Sequence, residues 1–478
     1  MPVIPYRLDR LQNQKDLAQF FRTFRSANFR NSPLQIASIS LEIDPIDPLA
    51  VLQSVARSNQ RHFYFEKDHQ EAVLAIEAAI QLETKGENRF IQAKEFIQNT
   101  LSKTTQVGEL DAPFSGAHFF CNFSFFDEVS ETGFFPSASI FLPRWQVSRK
   151  GDRSTLVANL VIDQYFDPDV AASLTWRKFE AIRSVRHEVI DLAIGHKNLL
   201  KKQNVSHTNH FKNSVSSVLD LIQKNHLHKV VLAHALDVTS PIAFNLITSL
   251  NNLRKLYSSC YIFSASNGKG QTFIGASPER LVGIHDQQLE TDALAGSAPR
   301  GKTVVEDTQL ANDLLSSVKE LHEHQVVIDS ITQHLSQLGL ETRLPLVGNS
   351  KRSAARLLQL PNIQHLHTPI QAKVPLSVHL LDVVAKLHPT PAVAGAPRSF
   401  ACEQIRHFEQ FERSLYAAPI GWVDRQGNGE FAVGIRSALL NGCHARLFAG
   451  AGIVAGSTPE KELTEVQLKL QALLQALV

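Results

Sequence analysis

Two glycine-bearing strings near the end of the chain, QGNG at residues 426–429 and NG at residues 441–442, constrain the fold more than any other feature. They join stretches that read as strands, SLYAAPIGWVD to EFAVGIRSALL and EFAVGIRSALL to CHARLFAGAGIV. An Asn-Gly turn accepts the positive φ that a tight hairpin needs, so the strands it joins lie side by side and run antiparallel. Parallel strands would need a crossover of about a dozen residues or more between them. The expected class is therefore α+β, large antiparallel sheets covered by helices, and not the βαβ winding of a nucleotide-binding fold.

The rest of the 478-residue chain fits that class. Residues 36–43, IASISLEI, alternate apolar and polar from Ile39 onward, as a half-buried strand does. Phe90, Ala93, Ile97 and Leu101 step by three or four along one helical face. Between residues 117 and 165 short strands are joined by polar turns, and a charged helix over roughly 172–200 follows. The polar segment KKQNVSHTNH is the best boundary, dividing residues 1–204 from 205–478 within what reads as one integrated unit. Beyond it come a helix near 208–225, the strand HKVVLAHALDV, strands at YIFSAS, QTFIGAS, ERLVGI and QLETDAL, and a long helix over 305–338.

Composition removes several classes. A formal charge of +2 without a basic block argues against a nucleic-acid binder. Cys121, Cys260, Cys402 and Cys443 are spread without CxxC, so neither a disulfide framework nor a zinc ribbon is indicated. The HxH pairs at His226/His228, His322/His324 and His365/His367 invite a zinc reading. Residues two apart on a helix point in different directions, however, so His322 and His324 do not chelate together easily. No run of about 18 apolar residues occurs, and the start lacks the apolar core of a secretion signal. A cytoplasmic protein without a membrane partner is expected.

Several residues invite chemistry, each beside a plainer explanation. Lys229 opens its strand, and Val231, Ala233 and Ala235 share its face, leaving room for a ligand. A strand-end lysine snorkelling into water explains the same pattern. Arg436 has small face-mates, Ala432, Gly434 and Ala438, so an anion could reach the backbone and meet a guanidinium. Glu279 in GASPERL reads as a turn carboxylate, and ALAGSAPRG, residues 293–301, as a small-residue loop able to hold anionic oxygens. On the long helix Leu314, Leu321 and Ile328 form a core stripe, with Glu323 about 200° from Leu321 on a solvated face. His388 opens the proline-rich HPTPAVAGAPR, a constrained loop or a strand followed by a turn. Near the end, Glu460 and Glu462 suit the first turn of a helix behind Ser457, Thr458 and Pro459, and Glu465 pairs with Lys469 at i,i+4.

Taken together these pieces occur in one order: KVVLA, SPERL, LAGSAPRG, KELHEH, QHLHT, HPTPAVAG, the arginine strand and GAGIVAGSTPEKE. In that order and spacing the chain resembles the chorismate-utilising enzyme family, specifically its isochorismate synthases, over roughly residues 205–475. The resemblance implies an α/β sandwich like that of anthranilate synthase component I, with chorismate as substrate and Mg²⁺ as cofactor. By the same resemblance Glu323 and Glu465 hold the metal and Glu462 supports them. Lys229 is the general base that activates water for attack at C2, and Glu279 the general acid for the departing 4-hydroxyl. Those roles ask for a neutral lysine and a protonated glutamate near neutral pH. Arg436 and the backbone of Gly450 and Gly452 receive the enolpyruvyl carboxylate beside Tyr416. His388 stands near the ring, Ala295 and Gly296 form a backbone wall, and Lys469 orients Glu465.

His234 stands where many relatives carry arginine, and Ala394 where a second glycine is common. His234 faces away from Lys229, so activity is expected to survive. Lysine at 229 favours water over ammonia, and no amidotransferase domain is fused or required. Salicylate synthase, which continues by eliminating pyruvate, is the alternative, and a siderophore-pathway isochorismate synthase another. A non-catalytic chorismate-binding regulator is disfavoured by the presence together of Lys229, Glu279, Glu323 and Glu465. Menaquinone or phylloquinone synthesis is the expected destination, and a monomer or weak dimer the expected assembly.

Overall fold

The computed structural model describes residues 13–28, 34–57, 59–131, 133–185, 189, 200–345 and 355–477. The hairpins announced by the glycine turns form as expected. Pro419–Asp424 pairs with Gly429–Val433, and Ser437–Asn441 pairs with His444–Ile453 through a two-residue turn in which Gly442 has φ +59°. All described strands join one hydrogen-bonded network. Its single parallel pairing among the described residues is Gln35–Ile43 with Thr104–Gly108. The class is α+β.

Strands from before residue 204 add directly to strands after it. His62–Lys67 pairs with Tyr261–Ser266, and His118–Phe123 with Pro419–Asp424. One apolar core, from Leu17 to Leu477, runs through both parts of the chain. Phe90, Ala93 and Ile97 bury one face of the helix Arg89–Leu101, as their spacing predicts. The strand Gln35–Ile43 departs from its half-buried expectation, because Ser38 and Ser40 are fully buried too. Gly116 N–H donates to Ser40 Oγ at 2.8 Å, which pairs that serine in the interior. The charged helix is shorter than expected, Pro168–Arg183; the expected remainder falls mostly outside the described residues.

Three further differences shape the site. The helix expected over 305–338 is two helices, Val304–Ser316 and Val318–Ser336. Ser317 between them adopts an extended conformation and its side chain accepts from Glu320 N–H, capping the second helix. Leu314 and Ile328 are buried as the stripe predicts, but Leu321 is 38% exposed and Glu323, expected on a solvated face, only 8%. The arginine strand is likewise two strands, with Arg436 between them at φ +49°. Finally, most of ALAGSAPRG is strand, not loop: Gln288–Pro299 pairs with Ile363–Lys373 across a bulge between Ala295 and Ser297, where Gly296 takes φ +76°.

Candidate active site

One pocket, about 890 Å³ of space partly open to solvent, collects nearly every residue picked out from the sequence. Its floor is the strand Lys229–Thr239 beside His444–Ile453, in a register that sets Gly452 opposite Val231 and Gly450 opposite Ala233. Alternation points Lys229 and Val231 into the pocket. The glycines are spatial requirements. A Cβ on Gly452 would lie 2.8 Å from Glu323 Oε1 and 3.1 Å from Lys229 Cε, and one on Gly450 2.9 Å from the Tyr416 hydroxyl. Lys229, 2% exposed, donates from Nζ to Glu323 Oε1 at 2.6 Å.

The acidic wall comes from two helices. Val318–Ser336 presents Glu320 and Glu323 one turn apart, and Pro459–Ala476 presents Glu462 and Glu465. Lys469 Nζ bridges Glu465 Oε1 at 2.6 Å and the Gly450 carbonyl at 2.8 Å, tying the last helix to the floor. Lys319 lies 3.4 Å from Glu320 and 3.8 Å from Glu462. Burial, with help from Glu465 and Glu323 and against Ser457 and Lys319, pushes the Glu462 carboxyl up to about 7. Burial and the nearby Glu323 raise Glu320 as well.

Across the pocket, Glu279 follows the Ser-Pro turn at 3% exposure. Burial pushes its carboxyl up to about 8, with Lys229 opposing the rise and Asp292 adding to it. Arg436 donates from Nη2 to His365 Nε2 at 2.8 Å, while His365 Nδ1 lies 2.9 Å from Ser297 Oγ. Burial and the Arg436 charge hold His365 well below the usual imidazole range. The ring is therefore neutral, accepting at Nε2 and donating from Nδ1. The buried Arg436 Nη1 has no partner among the described residues. A buried donor left unpaired invites an acceptor from a ligand. Tyr416 stacks on Phe448 beside it, with ring centroids 5.3 Å apart. Ala295 and Gly296 line the pocket at the strand bulge.

His388 does not reach the pocket. Its Nε2 meets the Phe125 carbonyl at 3.0 Å, its ring packs edge-on against Phe125, and burial lowers its pKa to about 3. The segment contributes Ala392 and Val393 instead, because Gly395–Ala396 pairs with Lys229–Val230 and holds that end against the floor. Sequence reasoning missed His365, Ser297, Lys319 and Glu320. Glu320 was findable, three residues before Glu323 on one helical face. His365 was not, since it enters through its cross-strand position opposite Ser297.

Among the described residues no three His, Cys, Asp or Glu side chains gather closely enough to hold a metal ion alone. Mg²⁺ makes no such demand: it keeps several waters and binds through one or two carboxylates plus substrate oxygens. A wall of hard carboxylate oxygens, in which burial and then neighbouring carboxylates raise Glu320 and Glu462, fits that donor set.

Comparison with known proteins bears on the whole chain. The model of a family described as chorismate binding enzyme matches residues 22–478. The salicylate biosynthesis isochorismate synthase of Pseudomonas aeruginosa is 32% identical over 96% of this chain and 93% of its own. Isochorismate synthase MenF of Bacillus subtilis is 30% identical over 92% and 93%. Among solved structures, MenF, the menaquinone-specific isochorismate synthase from Escherichia coli, superposes with a TM-score of 0.75 at 25% identity, covering 96% of this chain and 99% of that one. Anthranilate synthase component I from Streptococcus pneumoniae shares the fold, with a TM-score of 0.67 at 20% identity over 85% and 92%.

Proposed function

The chain belongs to the chorismate-binding enzyme family, and from that premise we propose that it converts chorismate to isochorismate. The observation that carries the reading is one pocket holding a buried lysine, a buried carboxyl with a raised pKa and an acidic wall together. Lys229 Nζ takes a proton from the water that attacks C2 of the ring. Glu279, still protonated near neutral pH, gives its proton to the 4-hydroxyl as it leaves. Arg436 Nη1 receives a substrate carboxylate, and Tyr416 and Val393 close the pocket around the enolpyruvyl arm. Glu323 and Glu465, supported by Glu462, would hold Mg²⁺, which when bound supplies positive charge opposite the ring carboxylate. Lys469 fixes Glu465, and Lys319 tempers the surplus negative charge.

Full-length likeness to a structure named as a menaquinone-specific isochorismate synthase supports isochorismate supply for quinone synthesis. Equally long likeness to an enzyme named for salicylate biosynthesis supports the same reaction. No described helix is long and apolar enough to cross a membrane, and we assign the reaction to the cytoplasm without an amidotransferase partner. The test is mass analysis of products from purified protein, chorismate and Mg²⁺. Isochorismate is expected to accumulate. Stoichiometric pyruvate and salicylate would establish the elimination reaction instead, and unchanged chorismate would overturn the assignment.

A further inference from the structure

The strand that carries Lys229 is not equally supported on its two edges. On one edge His444–Ile453 pairs with it from Val230 to Thr239. On the other, Gly395–Ala396 covers only Lys229 and Val230, with Ala394 accepting from Val231 N–H, and Lys201–Asn204 covers Leu236 to Thr239. Between these two short partners, the Val231 carbonyl and the Ala233 amide have no strand beside them.

Two side chains fill the gap. Glu409 Oε1 accepts from Ala233 N–H at 2.8 Å, and Arg413 Nη2 donates to the Val231 carbonyl at 2.8 Å. The pair is itself joined, Arg413 Nε to Glu409 Oε2 at 2.8 Å and Nη2 to Oε1 at 2.5 Å. The acceptor meets the amide and the donor meets the carbonyl, as a neighbouring strand would arrange them. Arg413 Nη1 also donates to the Val393 carbonyl at 2.9 Å, and the guanidinium lies over the Phe125 ring, 4.3 Å from its centroid. The side chains are 0% and 4% exposed, and neither lines the pocket, whereas Val231 and Val393 do.

We propose that the Glu409–Arg413 pair is a positioning device for the base: a side-chain rung that stands in for the missing strand and fixes Lys229 against the Val393 wall. This rests on Lys229 being the base. A buried ion pair is a weak source of net stability but a strict geometric constraint. Only a planar guanidinium can serve Glu409, Val231 and Val393 at once, so lysine cannot replace it.

The test compares Mg²⁺-dependent chorismate turnover in the wild type, Arg413→Lys, Arg413→Ala with and without added guanidinium, and Arg254→Met. Arg413→Lys keeps a charge beside Glu409 and so protects the fold. Arg254→Met breaks an ion pair with Asp47, 2.8 Å long, outside the pocket and serves as a stability control. A displacement of about 1 Å can cost roughly 10²-fold in rate. The expected result is kcat reduced about ten- to a hundredfold in Arg413→Lys with KM changed far less. Guanidinium, but not sodium chloride at equal ionic strength, should recover part of the Arg413→Ala loss. Normal wild-type turnover with kcat nearly unchanged in Arg413→Lys would overturn the positioning role alone. So would losses that merely follow melting temperature, matched by Arg254→Met. A wild type that leaves chorismate untouched would overturn the functional reading with it.

Discussion

Replacing Glu279 by glutamine keeps the side-chain shape but removes the proton that the pocket holds. The carboxyl ordinarily titrates at 4.5, and burial moves it to about 8. A carboxyl raised on folding leaves stability intact below its unfolded value and lowers it as pH climbs towards the folded value. Each pH unit between them is worth about 1.4 kcal/mol, so the full span amounts to roughly 5 kcal/mol. That is a substantial part of a typical net stability of about 5–15 kcal/mol. Every other titrating group is shared, so the informative quantity is the difference between the two unfolding free energies. Glu279→Gln should gain on the wild type by about 1.4 kcal/mol per pH unit from about pH 5 to about pH 8. The assay is urea denaturation of the metal- and substrate-free proteins across that range, with turnover measured beside it. The variant should lose about 10²–10⁴ in kcat while becoming the more stable protein at the alkaline end. A difference that stays flat with pH would refute the buried, protonated carboxyl, whatever happened to activity.

Glu323→Ala and Glu465→Ala should each abolish turnover, and wild-type activity should vanish in excess chelator and return with Mg²⁺. Because Glu462 sits at about 7, Mg²⁺ affinity measured by calorimetry should strengthen as pH rises through neutrality. Lys229→Ala should lower kcat about 10²–10⁴, and with Glu279→Gln should lose less than the product of the single losses in a steady-state comparison. It should also destabilise the metal-free protein, by roughly 3 kcal/mol in denaturant titrations, because it strips the partner from a buried carboxylate.

Much of this was legible in the sequence, for local reasons. Asn-Gly turns dictate hairpins and hence an antiparallel sheet, and strand alternation put Lys229 and Val231 on one face. Glu465 and Lys469 meet because an i,i+4 step on a helix brings them together. The ordered motifs carried the family resemblance. The tertiary structure decided whatever depends on partners far along the chain. Glu323 became a pocket residue because tertiary packing set its face of the helix Val318–Ser336 against Lys229, 94 residues away. His365 reached the pocket because strand register set it opposite Ser297, while His388 turned to a carbonyl in the other half of the chain. Periodicity reports which face a residue takes on its own element; which surface that face meets is settled only when distant elements pack, and there the chemistry of this pocket is assembled.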